Sequence, residues 1–449
     1  MDNTDILVIG AGVAGLAAAR ELARRGWHVR LLEARDRAGG RVFSAKPAGW
    51  PHPVELGAEF IHGGTPTLQK LLRRAGARSH PVETNMWWQE DGRLELVPDF
   101  WSRIRRLAGR IPWRNRGLSF QQFLRTKGRK LDPRDRHLAE VYVASFNAAP
   151  IGNLSAHALR ADHAGADTED ARIDGRYDAV VDALQKNWPG RRVDLQLQSP
   201  VREIRWKPNA VTVLAQTASG KIATHRAQAA VITLPLGVLQ ARTVRFLPAL
   251  GEKQRVISRL GWGQVVRVVF RFRPGFWSAP FLPPALAQKS GRGFGFVNAP
   301  AEAVPVWWAL TPPAPVLTGW AGGPAAAALD GSTPAAIRDA GLKSLASLFH
   351  TTRAELKRWL ADWCTHDWTG DPFSRGAYSY VVAGQEDAPA QLAKPVAGTL
   401  FFAGEAAARD VGTVHGAIES GLQAARSVDT ALLGRQLVTQ EIFPWPDGP

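Results

Sequence analysis

Ile6-Leu7-Val8-Ile9-Gly10-Ala11-Gly12-Val13-Ala14-Gly15 is an apolar run that passes straight into the spacing GxGxxG. Asp5 to Ile9 reads as a buried strand, and Gly12 to Arg25 carries the Ala/Leu periodicity of a helix. Gly26 suits the helix C-cap, and Val29 to Glu33 is a second apolar run. The pattern is a β-α-β unit. Its first glycine permits the tight turn, its second lets backbone approach a pyrophosphate, and its third lets the helix pack closely on the strand. Glu33, eighteen residues past Gly15, ends the second strand where a carboxylate can accept hydrogen bonds from an adenosine ribose. Gly10, Gly12, Gly15 and Glu33 are therefore expected to bind a dinucleotide. These glycines alone do not separate FAD from NAD.

Further along, Ala229 to Leu234 and Thr399 to Ala403 read as buried strands, the second leading through a glycine into the helix-like Ala417 to Leu432. Pieces of the nucleotide domain thus recur late in the chain. Between them lie Trp87-Trp88, the turn signal Asp91-Gly92, a basic region from Arg103 to Arg136, and alternating runs at Val265 to Phe272 and Pro305 to Leu310. The expected fold class is α/β, with a Rossmann-like nucleotide domain assembled from the discontinuous segments 1–80, 195–245 and 395–433. A mixed α+β substrate domain would take 81–194 and 246–394, leaving 434–449 as a tail. No internal repeat of fixed period is present.

A chain of 449 residues exceeds the usual size of one hydrophobic core, in keeping with two domains. Hydrophobic content of 45% and charged content of 21% are those of a globular protein, and no apolar run approaches the ~20 residues of a membrane span. The opening residues lack the basic and long apolar regions of an export signal, so a cytoplasmic location is expected. The single cysteine, Cys364, leaves no intramolecular disulfide, cysteine metal cluster or CxxC redox pair, and no metal site is expected. Net charge is +16, concentrated in Trp101 to His137, where twelve Lys/Arg face only Asp132 and Asp135. This basic segment, 101–137, reads either as a patch for an acidic partner or as a solvated helical surface.

The continuation Glu33-Ala34-Arg35-Asp36-Arg37-Ala38-Gly39-Gly40-Arg41 resembles the extended FAD fingerprint of the flavin amine oxidase superfamily. Gly39 and Gly40 suit backbone pressed against a cofactor, and Arg41 offers a fixed cation near phosphate or flavin. Four further segments resemble that superfamily in its order. Glu55-Leu56-Gly57-Ala58-Glu59-Phe60-Ile61-His62-Gly63 is similar to the segment passing the flavin in polyamine and spermine oxidases. Val201-Arg202-Glu203-Ile204 resembles the strand beside the adenine, and Leu234 to Leu239 the crossover between domains. Phe402-Ala403-Gly404-Glu405 and Gly412-Thr413-Val414-His415-Gly416-Ala417 resemble the closing flavin motif. By this resemblance FAD contacts extend to Ala34, Arg35, Gly57, Ala58, Glu59, Val201, Gly404, Glu405, Thr413, Val414 and Trp368. A helix starting near Thr413 would aim N–H groups at the flavin edge. The bland reading of Thr413 is a helix cap.

On the substrate side, Trp368 and Asp371 to Tyr380 resemble the segment lining the flavin face in polyamine oxidases and histone lysine demethylases. Trp368 matches the tryptophan packed on the flavin, and Tyr378 one wall of the amine-holding aromatic site. Opposite Tyr378 the resemblance places Thr413, which implies a half-open cage. Ala377 stands where monoamine oxidases carry the flavin-bonded cysteine, so FAD is expected to be non-covalent, and Cys364 to be a small core residue. His62 matches a histidine along the substrate channel, where it would orient or deprotonate an ammonium, or else be structural. Of the seventeen tryptophans only Trp368 is given a role; the others are expected in packing.

The resemblance implies an FAD-dependent amine oxidase: hydride passes from the amine to flavin N5, the imine hydrolyses, and O₂ accepts the electrons to give H₂O₂. A polyamine-type amine is favoured, although a polycation approaching so basic a chain is repelled. The sequence departs from the family at Arg267, where most members have a lysine that assists the reaction with O₂. Arg267 implies slow reoxidation, a site for a substrate carboxylate and hence an amino-acid oxidase or dehydrogenase, or a shifted strand with Arg267 in solvent. A different class remains open, a flavin-containing scaffold without turnover.

Overall fold

The computed structural model describes residues 4–63, 66–82, 85–113, 116–164, 170–186, 188, 192–291, 293–309 and 314–441. A five-stranded sheet lies at its centre, in the order Val193–Gln196, Val29–Leu32, Ile6–Ile9, Ala229–Ile232, Leu400–Phe402, and every pairing is parallel. Ile6–Ile9 is buried at all four positions because both faces are covered, which is why the strand reads as a continuous apolar run. Its side chains alternate between two cores: Ile6 and Val8 enter one, Leu7 and Ile9 the other.

The first core holds helix Val13–Arg24 and the long closing helix Val414–Glu441. They cross so closely that a Cβ on Gly421 would lie 2.1 Å from the Ala14 carbonyl oxygen. Asp429 fastens the crossing by accepting from Trp27 Nε1 at 2.9 Å and Arg25 Nη1 at 2.6 Å. Gly26 takes φ +99° just past the first helix, as a C-terminal stop requires. The opposite face is covered by a sheet in the order Ile222–Ala227, Ala210–Gln216, Val201–Lys207, Arg245–Leu247.

Two boundaries differ from the sequence reading. Helix Ala179–Gln185 buries Val180, Val181 and Leu184 in the nucleotide core, and Val193–Gln196 is the edge strand of the parallel sheet. Residues of the expected substrate segment 81–194 thus pack with the nucleotide layer, because this short helix has its apolar face against the first one. The closing helix also runs on to Glu441 where a tail was expected from 434, since a single glycine costs a helix only about 1 kcal/mol. Residues 442–449 of that tail lie outside the described residues.

The second layer is a seven-stranded sheet in the order Leu360–Asp367, Val265–Phe272, Val316–Gly322, Val306–Ala309, Phe296–Asn298, Met86–Glu90, Arg93–Leu96. All its pairings are antiparallel except that of Phe296–Asn298 with Met86–Glu90. Val265–Phe272 is a central strand, buried on both faces through Phe270. The basic segment folds as helix Phe100–Gly109, helix Phe120–Arg125 and the start of helix Pro133–Phe146, whose apolar sides share one core. Several of its cations meet acids from outside it: Arg103 pairs with Asp99 at 2.8 Å and Arg134 with Glu95 at 2.6 Å. No helix among the described residues is long and apolar enough to cross a membrane.

Candidate functional site

At the head of the parallel sheet the GxGxxG turn is built by close approach. A Cβ on Gly15 would lie 1.9 Å from the Gly10 carbonyl oxygen, whereas a Cβ on Gly12 would meet nothing within 4 Å. Gly15 is thus needed for packing, and Gly12 leaves backbone open toward a large cavity. Gly39 N–H donates to the Ala11 carbonyl at 2.8 Å and carries the second glycine pair alongside the first. Glu33 accepts from Ala11 N–H at 2.7 Å and Arg35 N–H at 2.9 Å. Burial pushes its pKa up against the pull of those two bonds.

Gly10, Gly12, Glu33, Ala34, Arg35, Gly39, Gly40, Arg41, Gly57, Ala58, Val201, Gly404 and Val414 all line this cavity. Gly15 does not, in keeping with its packing role. The cavity volume of about 1970 Å³ is roughly twice the upper range for small-molecule sites, enough for a dinucleotide and a second ligand together. The open Gly12 backbone at a helix N-terminus and the buried carboxylate of Glu33 fit the pyrophosphate and the adenosine ribose of an adenine dinucleotide.

The arginines of the fingerprint are held by protein groups. Arg35 donates to Asp371 at 3.0 Å and to Ser374 at 2.9 Å. Burial would raise the Asp371 carboxyl, but bonds from His366 and Arg35 carry it down to about 2. Arg41 donates to Glu405 at 2.8 Å and to the Ala377 carbonyl at 2.7 Å. The other Glu405 oxygen accepts from Ser379 N–H at 3.2 Å, from the Ser379 hydroxyl and from Gly412 N–H at 3.0 Å. One buried carboxylate therefore ties together the fingerprint, the strand Tyr378–Tyr380 and the loop before the closing helix. Glu405 itself lines the cavity, so this bracing fixes in place a carboxylate expected beside the cofactor.

Across the cavity, Trp368 is buried and donates from Nε1 to the Leu56 carbonyl at 2.9 Å, fixing its ring beside Gly57 and Ala58. The Tyr378 hydroxyl donates to the Phe146 carbonyl, and burial pushes its pKa up. Facing Tyr378 is Trp320, with centroids 6.4 Å apart and planes 18° from parallel. The sequence reading put Thr413 opposite Tyr378 and left the cage half-open. In the structure Thr413 lines the cavity, while its hydroxyl accepts from Gly416 N–H at 3.0 Å and donates to the Asp410 carbonyl at 2.7 Å as a helix cap. Trp320 was missed because it reaches this place through antiparallel register, as the cross-strand partner of Arg267. The only signal in the sequence was an aromatic residue in a strand-like run.

Arg267 is 1% exposed, so the strand is not shifted into solvent. Nη1 donates to the Gly57 carbonyl at 2.5 Å, Nη2 pairs with Glu59, and the guanidinium carbon lies 5.0 Å from the Trp308 ring and 5.8 Å from that of Trp320. Glu59 also pairs with Arg172 at 2.8 Å and accepts from Trp308 Nε1 at 3.2 Å. Burial pushes the Arg267 pKa down while Glu59 and Glu55 oppose it. Glu59 and Arg267 both line the cavity while forming this network, so the Arg267 guanidinium is already paired with a protein carboxylate.

His62 lines the cavity, with Nδ1 3.0 Å from Asp170 Oδ1 and its ring edge-on to Phe146 at 5.3 Å. His415, which the sequence reading held only as part of a motif, pairs there with Asp410 at 3.4 Å. Burial pushes the His415 pKa down, and His62 nearby adds to the effect. Ala377 lines the cavity where a cysteine would be needed for a thioether. Cys364 sits in strand Leu360–Asp367 opposite Val269, its thiol pushed up to about 12 by burial. Among the described residues no group of three His, Cys, Asp or Glu could hold a metal ion.

A parallel-sheet cradle open to a second chamber lined by near-parallel aromatic rings defines a cofactor-binding protein with a small-molecule site. The chain belongs to the flavin containing amine oxidoreductase family, whose pattern matches residues 13–429. It is 29% identical over 94% of its length to lysine-specific histone demethylase 1 homolog 2 of Arabidopsis thaliana, and spans 58% of that protein. Polyamine oxidase 5 of Oryza sativa is 28% identical, with 98% of this chain and 90% of that one aligned. The chain spans little more than half the length of the demethylase homologues it matches. Among solved structures, a putrescine oxidase bound to putrescine superposes with TM-score 0.75 at 21% identity over 95% of this chain and 99% of that one. Cyclohexylamine oxidase from Brevibacterium oxydans gives TM-score 0.75 at 22% identity over 96% and 100%. These two similarities establish a common fold.

Proposed function

We propose that the protein is an FAD-dependent amine oxidase acting on a primary or secondary aliphatic amine. The observation that carries this reading is the Tyr378–Trp320 ring pair, which flanks the same cavity as Trp368 and the glycine cradle. Two rings about 6 Å apart and nearly parallel attract a cation as it arrives and tolerate the neutral amine that must react. Bound FAD would supply the acceptor for the hydride of the amine α-carbon and the route of both electrons to O₂, leaving an imine for water to hydrolyse. Gly10, Gly12, Glu33, Gly39 and Gly40 would hold it, and Ala377 leaves it without a covalent bond.

The protein's own part is positioning and exclusion of water. Tyr378 is held by the Phe146 carbonyl, Trp368 by the Leu56 carbonyl, and Trp320 by its place in a central strand. His62, backed by Asp170, is placed to take a proton from an arriving ammonium. With Arg267 paired to Glu59, a substrate carboxylate has less reason to be sought at Arg267 itself. Anaerobic addition of amines tests the proposal. Flavin absorbance should bleach with an aliphatic amine, and acid precipitation should release FAD to the supernatant. A flavin that no amine bleaches would leave the scaffold reading, and flavin retained in the pellet would overturn the non-covalent one.

A further inference from the structure

The amine site is one end of the cavity; its other end has a chemistry of its own. From Tyr378 the wall runs through Phe146, whose carbonyl holds the tyrosine hydroxyl, to Tyr142 with centroids 5.0 Å apart, and on to Trp101 at 5.4 Å. Arg105 stands one turn beyond Trp101 on the same helix and lines the cavity, as do Arg116, Trp113 and His157. Trp113 is 47% exposed, with the Arg160 guanidinium 4.3 Å over its ring and His157 edge-on at 5.7 Å. Arg105 and Arg116 are exposed.

Other arginines of this segment are neutralised, Arg103 by Asp99 and Asp135 at 2.8 and 2.7 Å and Arg134 by Glu95. Among the described residues no acid pairs with Arg105, Arg116 or Arg160. The carboxylates that line the cavity are already engaged. Glu386 accepts from Ser155 at 2.7 Å and from two backbone N–H groups, Asp170 faces His62, and Asp410 faces His415. Glu59 is shared by two arginines. A second ammonium at the far end of a substrate would meet unpaired cations. An anion would meet two guanidinium groups that pair with no acid among the described residues, beside an aromatic face, in a chain whose net charge of +16 favours its approach.

We propose that the preferred substrate is an aliphatic amine whose far end carries an anionic group, held at the cavity mouth by Arg105 and Arg116 beside Trp113. This rests on the amine oxidase reading. The ring-lined path accounts for the aliphatic middle of such a molecule, and the arginine pair for its selectivity.

The test compares, on the FAD-loaded enzyme, n-alkylamines, α,ω-diamines and ω-aminocarboxylates over a series of matched chain lengths. Anaerobic flavin bleaching yields an apparent Kd and a limiting rate for each. The aminocarboxylate should bind tightest at one length, and added salt should weaken it while leaving the plain alkylamine in place. In the double variant Arg105→Glu/Arg116→Glu, the ratio of Kd for alkylamine to Kd for aminocarboxylate should fall about tenfold or more, with bound-flavin absorbance confirming the fold. A diamine that binds as tightly as the aminocarboxylate, or an anion preference that survives charge reversal, overturns the proposal. Bleaching by none of the series would remove the amine oxidase reading as well, so the two failures are distinct.

Discussion

Arg267 and Glu59 form a buried ion pair behind the ring site, with side chains 1% and 2% exposed. Arg172 and Trp308 add partners to Glu59 and the Gly57 carbonyl adds one to Arg267, which offsets part of the cost of burying the two charges. The pair holds Gly57 against the strand Val265–Phe272 and so positions backbone that lines the cofactor side of the cavity.

An arginine locked in this way does not act as a proton reservoir, whereas a lysine at the same place could still pair with Glu59 and exchange protons. Arg267→Lys is therefore expected to speed reoxidation of the reduced flavin by O₂, read by stopped flow, while leaving amine-driven reduction close to wild type. Unchanged reoxidation would show that residue 267 does not limit the oxygen reaction. Arg267→Leu, which strands Glu59 with Arg172 alone, should lose about 3–5 kcal/mol of stability.

Trp320→Ala should slow flavin reduction at saturating amine as severely as Tyr378→Ala, because each ring is one side of the same slot. Loss of one of two orienting faces is expected to cost roughly a hundredfold in limiting rate, with flavin content retained. If Trp320→Ala retains full reduction rate while Tyr378→Ala does not, the second wall lies elsewhere.

Thr413 gives the opposite expectation. Its hydroxyl is consumed by Gly416 N–H and the Asp410 carbonyl, so Thr413→Ala should lower stability by about 1 kcal/mol as a lost N-cap. The apparent Kd for amines should stay constant. A shift in that Kd without a shift in thermal midpoint would return Thr413 to the substrate wall.

Glu55 lies behind the same network, accepting from Ser44 and from Tyr177 N–H, each at 2.7 Å. Burial pushes its carboxyl from 4.5 up to about 7 in spite of those bonds. The folded protein then keeps a proton that the unfolded chain has released, so this contribution is fully present below 4.5 and is lost as pH rises to about 7. The loss amounts to about 3 kcal/mol. Denaturant titrations across that range should show stability falling with pH in the wild type and a flatter profile in Glu55→Gln. Parallel profiles would mean that Glu55 is ionised throughout.

Local order decided what the sequence could say. The β-α-β unit, Glu33 at the end of its second strand, and the late return of the nucleotide strands at Ala229–Ile232 and Leu400–Phe402 follow from short-range rules. Glycine spacing, apolar runs and helix periodicity each act over a few residues, and a resemblance of separated motifs places the flavin class. Tyr378 and Trp368 were legible in the same way, as residues inside a recognisable segment. Trp320, the engagement of Arg267 with Glu59 and Arg172, and the bracing of Arg41, Ser379 and Gly412 by Glu405 were not. Each depends on register between strands or on side-chain contacts that only the packed fold creates. A guanidinium reads the same in sequence whether it meets a substrate, a phosphate or a buried carboxylate, and only packing fixes which acid lies within reach. The mouth follows the same logic: a run of arginines carries no mark of which are paired, and the fold brings Glu95 and Asp99 to some while Arg105 and Arg116, on the cavity, pair with no acid among the described residues.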